Sequence, residues 1–369
     1  MPTSHSISTS FLKYNREQSN KYTEPGQTLL RRQYRKTYTA QIAALKCMDG
    51  RINMAVMTQT PLGIIQPYRD LGGKFDLGSE FGAVLAEWIN HGIESGRSGS
   101  IVLVTYHWSK GDPAHRGCKG FSCDVKAARS YTQGTVRDIE DIFGADHGIV
   151  HPIQVGIETD EDSLVFHGNN GKKLDLSEVG TEDPISLRMK LEELYPDMTR
   201  DKIESLIPLC VGNVRHIAEV RKINRPIADI DHKENILGYG RGFDWHHQPN
   251  QMLIVGPFND GKAKHIQVAC SILFSNLKQG KISKGDGLLL VASSVFRDET
   301  GPQRKRAEFE ARSRANFLHN VVKEELDRLK KLDHAFKMPR LEIAAGTMNQ
   351  NTRLFIPVKL SEADLALKG

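Results

Sequence analysis

The chain has 369 residues, of which 39% are apolar and 26% charged, and its net charge is +5. That length suffices for about two domains with real cores, and so weak a positive balance over so long a chain argues against a nucleic-acid module. No run approaches the roughly 18 apolar residues of a membrane span and the start lacks a secretory core, so neither membrane nor export is expected and the address reads as cytoplasmic.

The five cysteines, at 47, 118, 123, 210 and 270, are odd in number and scattered, which points to reduced thiols rather than a disulfide framework. Residues 1–36 are rich in Ser, Thr, Asn, Gln and charge with little apolar periodicity, and read as a flexible N-terminal arm. Basic residues gather at Arg31, Arg32, Arg35 and Lys36 and again at Arg304, Lys305 and Arg306, and both groups read as solvated faces.

The ordered pattern starts at Gln41-Ile-Ala-Ala-Leu-Lys46, a short apolar strand. Ile64 and Ile65 mark a second strand, Phe81 to Ile89 has helical spacing, and Ile101-Val-Leu-Val-Thr-Tyr106 is a strand covered on both faces. Strand, helix, strand in this order predicts a parallel α/β sheet, whose ligands gather at the carboxyl ends of the strands. Further on, Ile153–Thr159 and Ser163–His167 read as a hairpin, Asp183-Pro184 as a helix start, and Thr199 to Ile223 as a helix, none with visible chemistry. Gly238-Tyr-Gly-Arg-Gly242 reads as a linker turn rather than a phosphate loop.

At the end of the first strand stand Cys47, Asp49 and Arg51 on alternate positions, which in extended chain share one face. His107 ends the strand 101–106, and a Gly- and Pro-containing loop then delivers His115 and Cys118. Two thiols and an imidazole at strand ends suit zinc, and three protein ligands leave a fourth position open to water. His115 has the shorter spacing to Cys118, but a strand end is the more rigid seat, so the ligand set is read as Cys47, His107 and Cys118.

The run Cys47-Met-Asp49-Gly-Arg51, with Arg69-Asp-Leu-Gly72-Gly73, Ser79-Glu-Phe-Gly-Ala-Val84 and a downstream His and Cys, resembles the signature of β-class carbonic anhydrases over roughly residues 40–130. The wide gap from His107 to Cys118 is most similar to the carboxysomal shell branch of that family. The resemblance implies zinc as cofactor and reversible hydration of carbon dioxide to bicarbonate. It gives Asp49 and Arg51 catalytic roles, with Arg51 holding Asp49 off the metal and Asp49 orienting the nucleophile. It also implies a homo-oligomer, a dimer of pseudo-dimers, with Rubisco or the carboxysome shell as partners and the carboxysome as the more specific address.

The second half echoes the first. Gln251-Met-Leu-Ile-Val leads to Asp260-Gly261-Lys262 with Phe258 at the place of Cys47, and Gly287 to Ser294 echoes Ser100 to His107, with Ser294 for His107 and Lys305 for Cys118. The expected architecture is a β-carbonic-anhydrase-like parallel sheet flanked by helices and duplicated. Residues 1–36 form the arm, 37–200 the catalytic zinc domain, and 201–369 a degenerate copy without metal ligands. Two other readings stand beside hydration: hydrolysis of carbon disulfide or carbonyl sulfide on the same fold, and a non-catalytic metal-stabilised scaffold.

Overall fold

The computed structural model describes residues 7–144, 148–180, 183–226, 230–231, 234–240, 252–254, 262–283, 287–297, 301–332 and 341–358. Two helices come first, α1 (Ile7–Thr23) and α2 (Pro25–Thr37), where a flexible arm was expected. Strand β1 (Gln41–Cys47), the short helix α3 (Met54–Met57), β2 (Ile65–Asp70), α4 (Glu80–Glu94) and β3 (Ser100–Trp108) follow. Then come α5 (Pro113–Arg116), α6 (Val125–Phe143), β4 (Val150–Glu158), β5 (Ser163–His167), β6 (Lys173–Asp175), α7 (Pro184–Leu194) and α8 (Arg200–Ile223). The later elements are β7 (Ile236–Gly240), β8 (Met252–Ile254), α9 (Lys262–Lys278), β9 (Leu288–Phe296), α10 (Pro302–Leu332), β10 (Leu341–Asn349) and β11 (Phe355–Pro357).

The chain forms two units, residues 25–232 and residues 1–24 with 233–369. In the first, six strands lie in the order β2-β1-β3-β4-β5-β6. The β2, β1, β3 and β4 strands are mutually parallel, and β5 and β6 return antiparallel. The eight residues Ser100 to His107 are all buried, as a near-continuous apolar run covered on both faces requires. Helix starts follow local capping: Ser79 accepts from the Phe81 amide, Asp124 from Ala127, and Asp183 from Ile185 and Ser186 ahead of Pro184 at the first turn.

The expected boundary at 200 falls inside this unit. Helix α8 packs on α7 and β5, and its Asn213 is buried among them. The Asn213 side chain accepts from the Leu164 amide at 3.0 Å and donates to the carbonyls of Met57 at 2.9 Å and Asp162 at 2.8 Å. A buried carboxamide so satisfied stitches α8 to the hairpin and to α3.

The second unit has the strand order β11-β10-β9-β7-β8, with β8, β7, β9 and β10 parallel and β11 antiparallel. This repeats β5-β4-β3-β1-β2 of the first sheet, helices α9 and α10 falling in the connections where α4 and α6 fall, so the expected duplication is present at the level of topology. The sequence register assigned to it needs correction. The strand that pairs as β1 does is β7, read from sequence as a linker turn, whereas the strand beginning near Met252 takes the edge place of β2. Ala43 pairs with Val102 and Ile236 pairs with Leu289. With Gly287 aligned to Ser100, Gly240 therefore stands where Cys47 does, without a side chain, and Ser294 stands where His107 does. Phe258 and Asp260 lie outside the described residues. Among the described residues only one cluster of potential metal ligands occurs, and it is in the first unit.

Helix α1 belongs to the second unit, where Ile7 and Phe11 join the buried residues Ile236, Leu289, Val291 and Phe355. Asn15 bridges to the β10–β11 turn, donating to the Arg353 carbonyl at 3.0 Å and accepting from the Phe355 amide at 2.7 Å. Ile7, Phe11 and Tyr22 of α1 are buried, whereas Leu29 and Leu30 of α2 are exposed, so the segment shows little apolar periodicity in sequence. Arg31, expected in a solvated face, is also buried, whereas Arg304 and Arg306 do lie on the exposed side of α10, paired with Glu308 and Glu310. Phe11→Ala should destabilise the second unit by about 3–5 kcal/mol, the usual cost of emptying a buried aromatic site. Urea unfolding checks this, and a value within experimental error of wild type would restore the flexible arm.

Candidate metal centre

Strand β1 stops at Cys47, and residues 48–51 form a turn rather than continued extended chain. The alternation argument therefore does not hold beyond Cys47, yet the turn still brings the three side chains to one place. Two buried cations fix it. Arg69 donates to the carbonyls of Asp49 at 2.8 Å, Ile52 at 2.7 Å and Cys47 at 3.4 Å, and Lys46 reaches the Ile52 carbonyl at 3.0 Å. A buried guanidinium demands such partners, so its burial and the shape of the turn are mutually enforced. The sequence motif gives Arg69 no role; its signal is an arginine next to the last residue of a strand, with Gly72-Gly73 following after Asp70 and Leu71.

Those two glycines adopt φ of +72° and +67°, Gly72 against the Cys118 loop at Gly120 and Gly73 against the backbone of β1 and β3. A Cβ on Gly73 would lie 3.3 Å from the Thr105 carbonyl oxygen, and one on Gly120 would lie 2.5 Å from the Gly72 Cα. Gly72 and Gly120 thus let the β2 end and the Cys118 loop touch backbone to backbone. Gly120→Ala should cost about 1–3 kcal/mol, the price of forcing backbone to move in a packed site. Thermal unfolding of the full chain measures it, and an unchanged midpoint would show that the contact is dispensable.

The structure brings Cys47, His107 and Cys118 together. Their ligand atoms all lie within 4.8 Å of one another and all three residues are buried. The two sulfurs are 4.0 Å apart. Neither ring nitrogen of His107 has a hydrogen-bond partner, which for a residue only 2% exposed is an expensive omission unless another ligand completes it. Sharing a proton with Cys118, together with burial, pushes the Cys47 thiol well up, whereas the same shared proton and the Gly120 amide pull Cys118 down against its own burial. Two buried sulfurs beside a buried imidazole fit a borderline-soft divalent metal ion.

Beside this cluster, Asp49 is buried with Oδ2 3.8 Å from His107 Nε2. Arg51 grips it through both oxygens, Nη2 to Oδ2 at 2.6 Å and Nε to Oδ1 at 3.1 Å. The guanidinium is held in turn by the Arg116 carbonyl at 2.7 Å and the Ile230 carbonyl at 3.4 Å, and it approaches Thr159 Oγ1 at 3.5 Å. His115 is elsewhere. Its side chain is 81% exposed on α5 and pairs with Asp112 at 2.9 Å. Cys123 is only partly buried, and Cys210 and Cys270 are buried thiols outside the cluster.

Residues 41–219 match the family model described as Carboxysome Shell Carbonic Anhydrase, catalytic domain. This part of the chain is similar to that catalytic domain. Across 241 residues the chain is 25% identical to the carboxysome shell carbonic anhydrase of Prochlorococcus marinus subsp. pastoris, a match covering 55% of this chain and 46% of the relative. Across 236 residues it is 26% identical to the carboxysome shell carbonic anhydrase of Hydrogenovibrio crunogenus, covering 54% of this chain and 44% of the relative. The match thus spans a little under half the length of those proteins. The catalytic-domain model extends through most of α8, in keeping with a first unit that runs past residue 200. No described helix is long and apolar enough to cross a membrane.

Proposed function

We propose that the first unit hydrates carbon dioxide reversibly to bicarbonate at a zinc ion held by Cys47, His107 and Cys118. The observation that carries this reading is the buried convergence of two thiols with an imidazole whose nitrogens are both unpartnered, set against the bidentate Asp49–Arg51 pair. Bound zinc supplies Lewis acidity and makes water a better acid, leaving a nucleophile at neutral pH. The chain's own residues do the rest. Cys47 and Cys118 supply charge-neutralising thiolates and His107 the third ligand. Asp49 accepts a hydrogen bond from the attacking oxygen and so aims it, and Arg51 keeps both carboxylate oxygens occupied so that Asp49 orients rather than ligates. Water adds across carbon dioxide and one proton leaves to solvent or buffer.

The carboxysome named in the relatives' descriptions is proposed as the address here too, with carbon dioxide and bicarbonate as substrates. Pairing of full-length chains and contact with Rubisco or the shell rest on the resemblance to that branch. Turnover of the zinc-loaded chain on carbon dioxide, measured beside carbon disulfide and carbonyl sulfide under the same conditions, tests the assignment. Rapid hydration with negligible hydrolysis of the sulfur compounds is expected. Preferential hydrolysis of either sulfur compound, or no turnover of any of the three, would overturn it.

A further inference from the structure

The loop from the end of β3 to Cys118 must deliver a ligand accurately, although apart from the single turn of α5 it has no regular structure. Resting on the zinc reading above, we propose that Asp160, at the tip of the β4–β5 hairpin, is the positioning residue that holds this loop, and through it both Cys118 and Arg51, in the geometry a metal requires.

The Asp160 carboxylate contacts the loop at three points along its length. It accepts from Ser109 Oγ at 2.8 and 3.0 Å and from the Gly111 amide at 2.6 Å, and it faces Arg116 Nη1 at 3.3 Å. Ser109 Oγ also accepts from the Asp112 amide at 3.1 Å, which closes the turn ahead of α5. The anchor is itself anchored, because the buried Glu158 accepts from the amides of Asp160, Glu161 and Lys110, each at 3.0 Å. From Arg116 two consequences follow. Cys118 is two residues on, and the Arg116 carbonyl accepts from the same Arg51 Nη2 that grips Asp49. One carboxylate thereby sets the third ligand and the arginine clamp together.

Two further observations separate this contact from an ordinary surface ion pair, which contributes little. The Arg116 and Asp160 side chains are only 11% and 15% exposed, whereas the adjacent Glu161 pairs with an Arg221 that is half exposed. The loop also leaves space for the pair, since a Cβ on Gly111 would lie 2.7 Å from Arg116 Nη2 and 3.0 Å from Asp160 Oδ2.

The test uses the full chain as Asp160→Ala, Arg116→Ala, their double variant, the shape-preserving Asp160→Asn, and Glu161→Ala. Two quantities are read: the rate of zinc loss to a chelator, and the rate of Cys118 alkylation by iodoacetamide in metal-free protein, located by mass spectrometry. Cys210, fully buried elsewhere in the unit, reports general opening. Asp160→Ala and Arg116→Ala should each speed zinc loss by roughly ten- to a hundredfold, the usual consequence of losing a ligand's supporting partner, and speed Cys118 labelling in step. Asp160→Asn should move both rates in the same direction by less, the double variant should add nothing beyond the larger single, and Glu161→Ala and Cys210 labelling should stay at wild-type values. Unchanged Cys118 labelling in Asp160→Ala and Asp160→Asn, a parallel rise at Cys210, or fully multiplicative singles would overturn the positioning role. A wild-type chain that binds no zinc would sink the zinc reading instead, while Cys118 labelling still decides the role of Asp160.

Discussion

Cys47→Ser is expected to leave the chain folded but without bound zinc, and to lower carbon dioxide hydration by more than about a hundredfold, beyond what losing an outer-shell partner costs. The size of the effect follows from the ligand count. Among the described residues only three protein ligands converge, and an alcohol is a far poorer donor to a borderline-soft ion than a thiolate. Serine fills almost the same space at a residue 7% exposed, so the β1 pairing and the Arg69 contacts to the turn should survive. Elemental analysis after gel filtration, circular dichroism and stopped-flow hydration check the three parts. A variant with full zinc and normal turnover would remove Cys47 from the centre.

Arg51→Ala separates holding the metal from using it. The guanidinium occupies both oxygens of Asp49, whose Oδ2 is 3.8 Å from His107 Nε2. Without it the buried carboxylate loses its guanidinium partner and keeps the residue-51 amide at 3.0 Å, and a metal ion within reach is the cation it would turn to. Zinc should therefore remain, held as tightly or more so, while hydration falls by about 10- to 100-fold. Chelator competition and stopped-flow kinetics on one preparation measure both. Retained activity would show that Arg51 is no gate, and loss of zinc would make it a scaffold for the turn.

Much of the first unit was legible because its signals are local and redundant. The apolar runs of β1 and β3 could only be covered strands, and a thiol and an imidazole at their ends had to share one sheet edge. What sequence alone could not supply was whatever depends on pairing between distant segments. In the second unit Asp260-Gly261 imitates Asp49-Gly50, which drew the alignment to the wrong strand. Register is set by the ladder, and the true counterpart of β1, Ile236-Leu-Gly-Tyr-Gly240, carries two glycines and almost no strand signal. The arm was misread because α1 has few apolar residues, and only tertiary burial of Ile7 and Phe11 against β9 and β11 makes it a packed helix. The hairpin tip seemed chemically silent for the same reason. Asp160 acquires its role only when folding sets it against Ser109, Gly111 and Arg116, some fifty positions earlier in the chain.

The choice between the two histidines puts the buried cluster to the most direct test. His107 lies in the cluster with both ring nitrogens unpartnered, while His115 is exposed and tied to Asp112. Zinc bound per chain is to be measured in His107→Ala and His115→Ala against wild type. A His115→Ala protein with the wild-type zinc content and a His107→Ala protein with almost none is the expected result, and the reverse pattern would contradict the assignment of the metal to Cys47, His107 and Cys118.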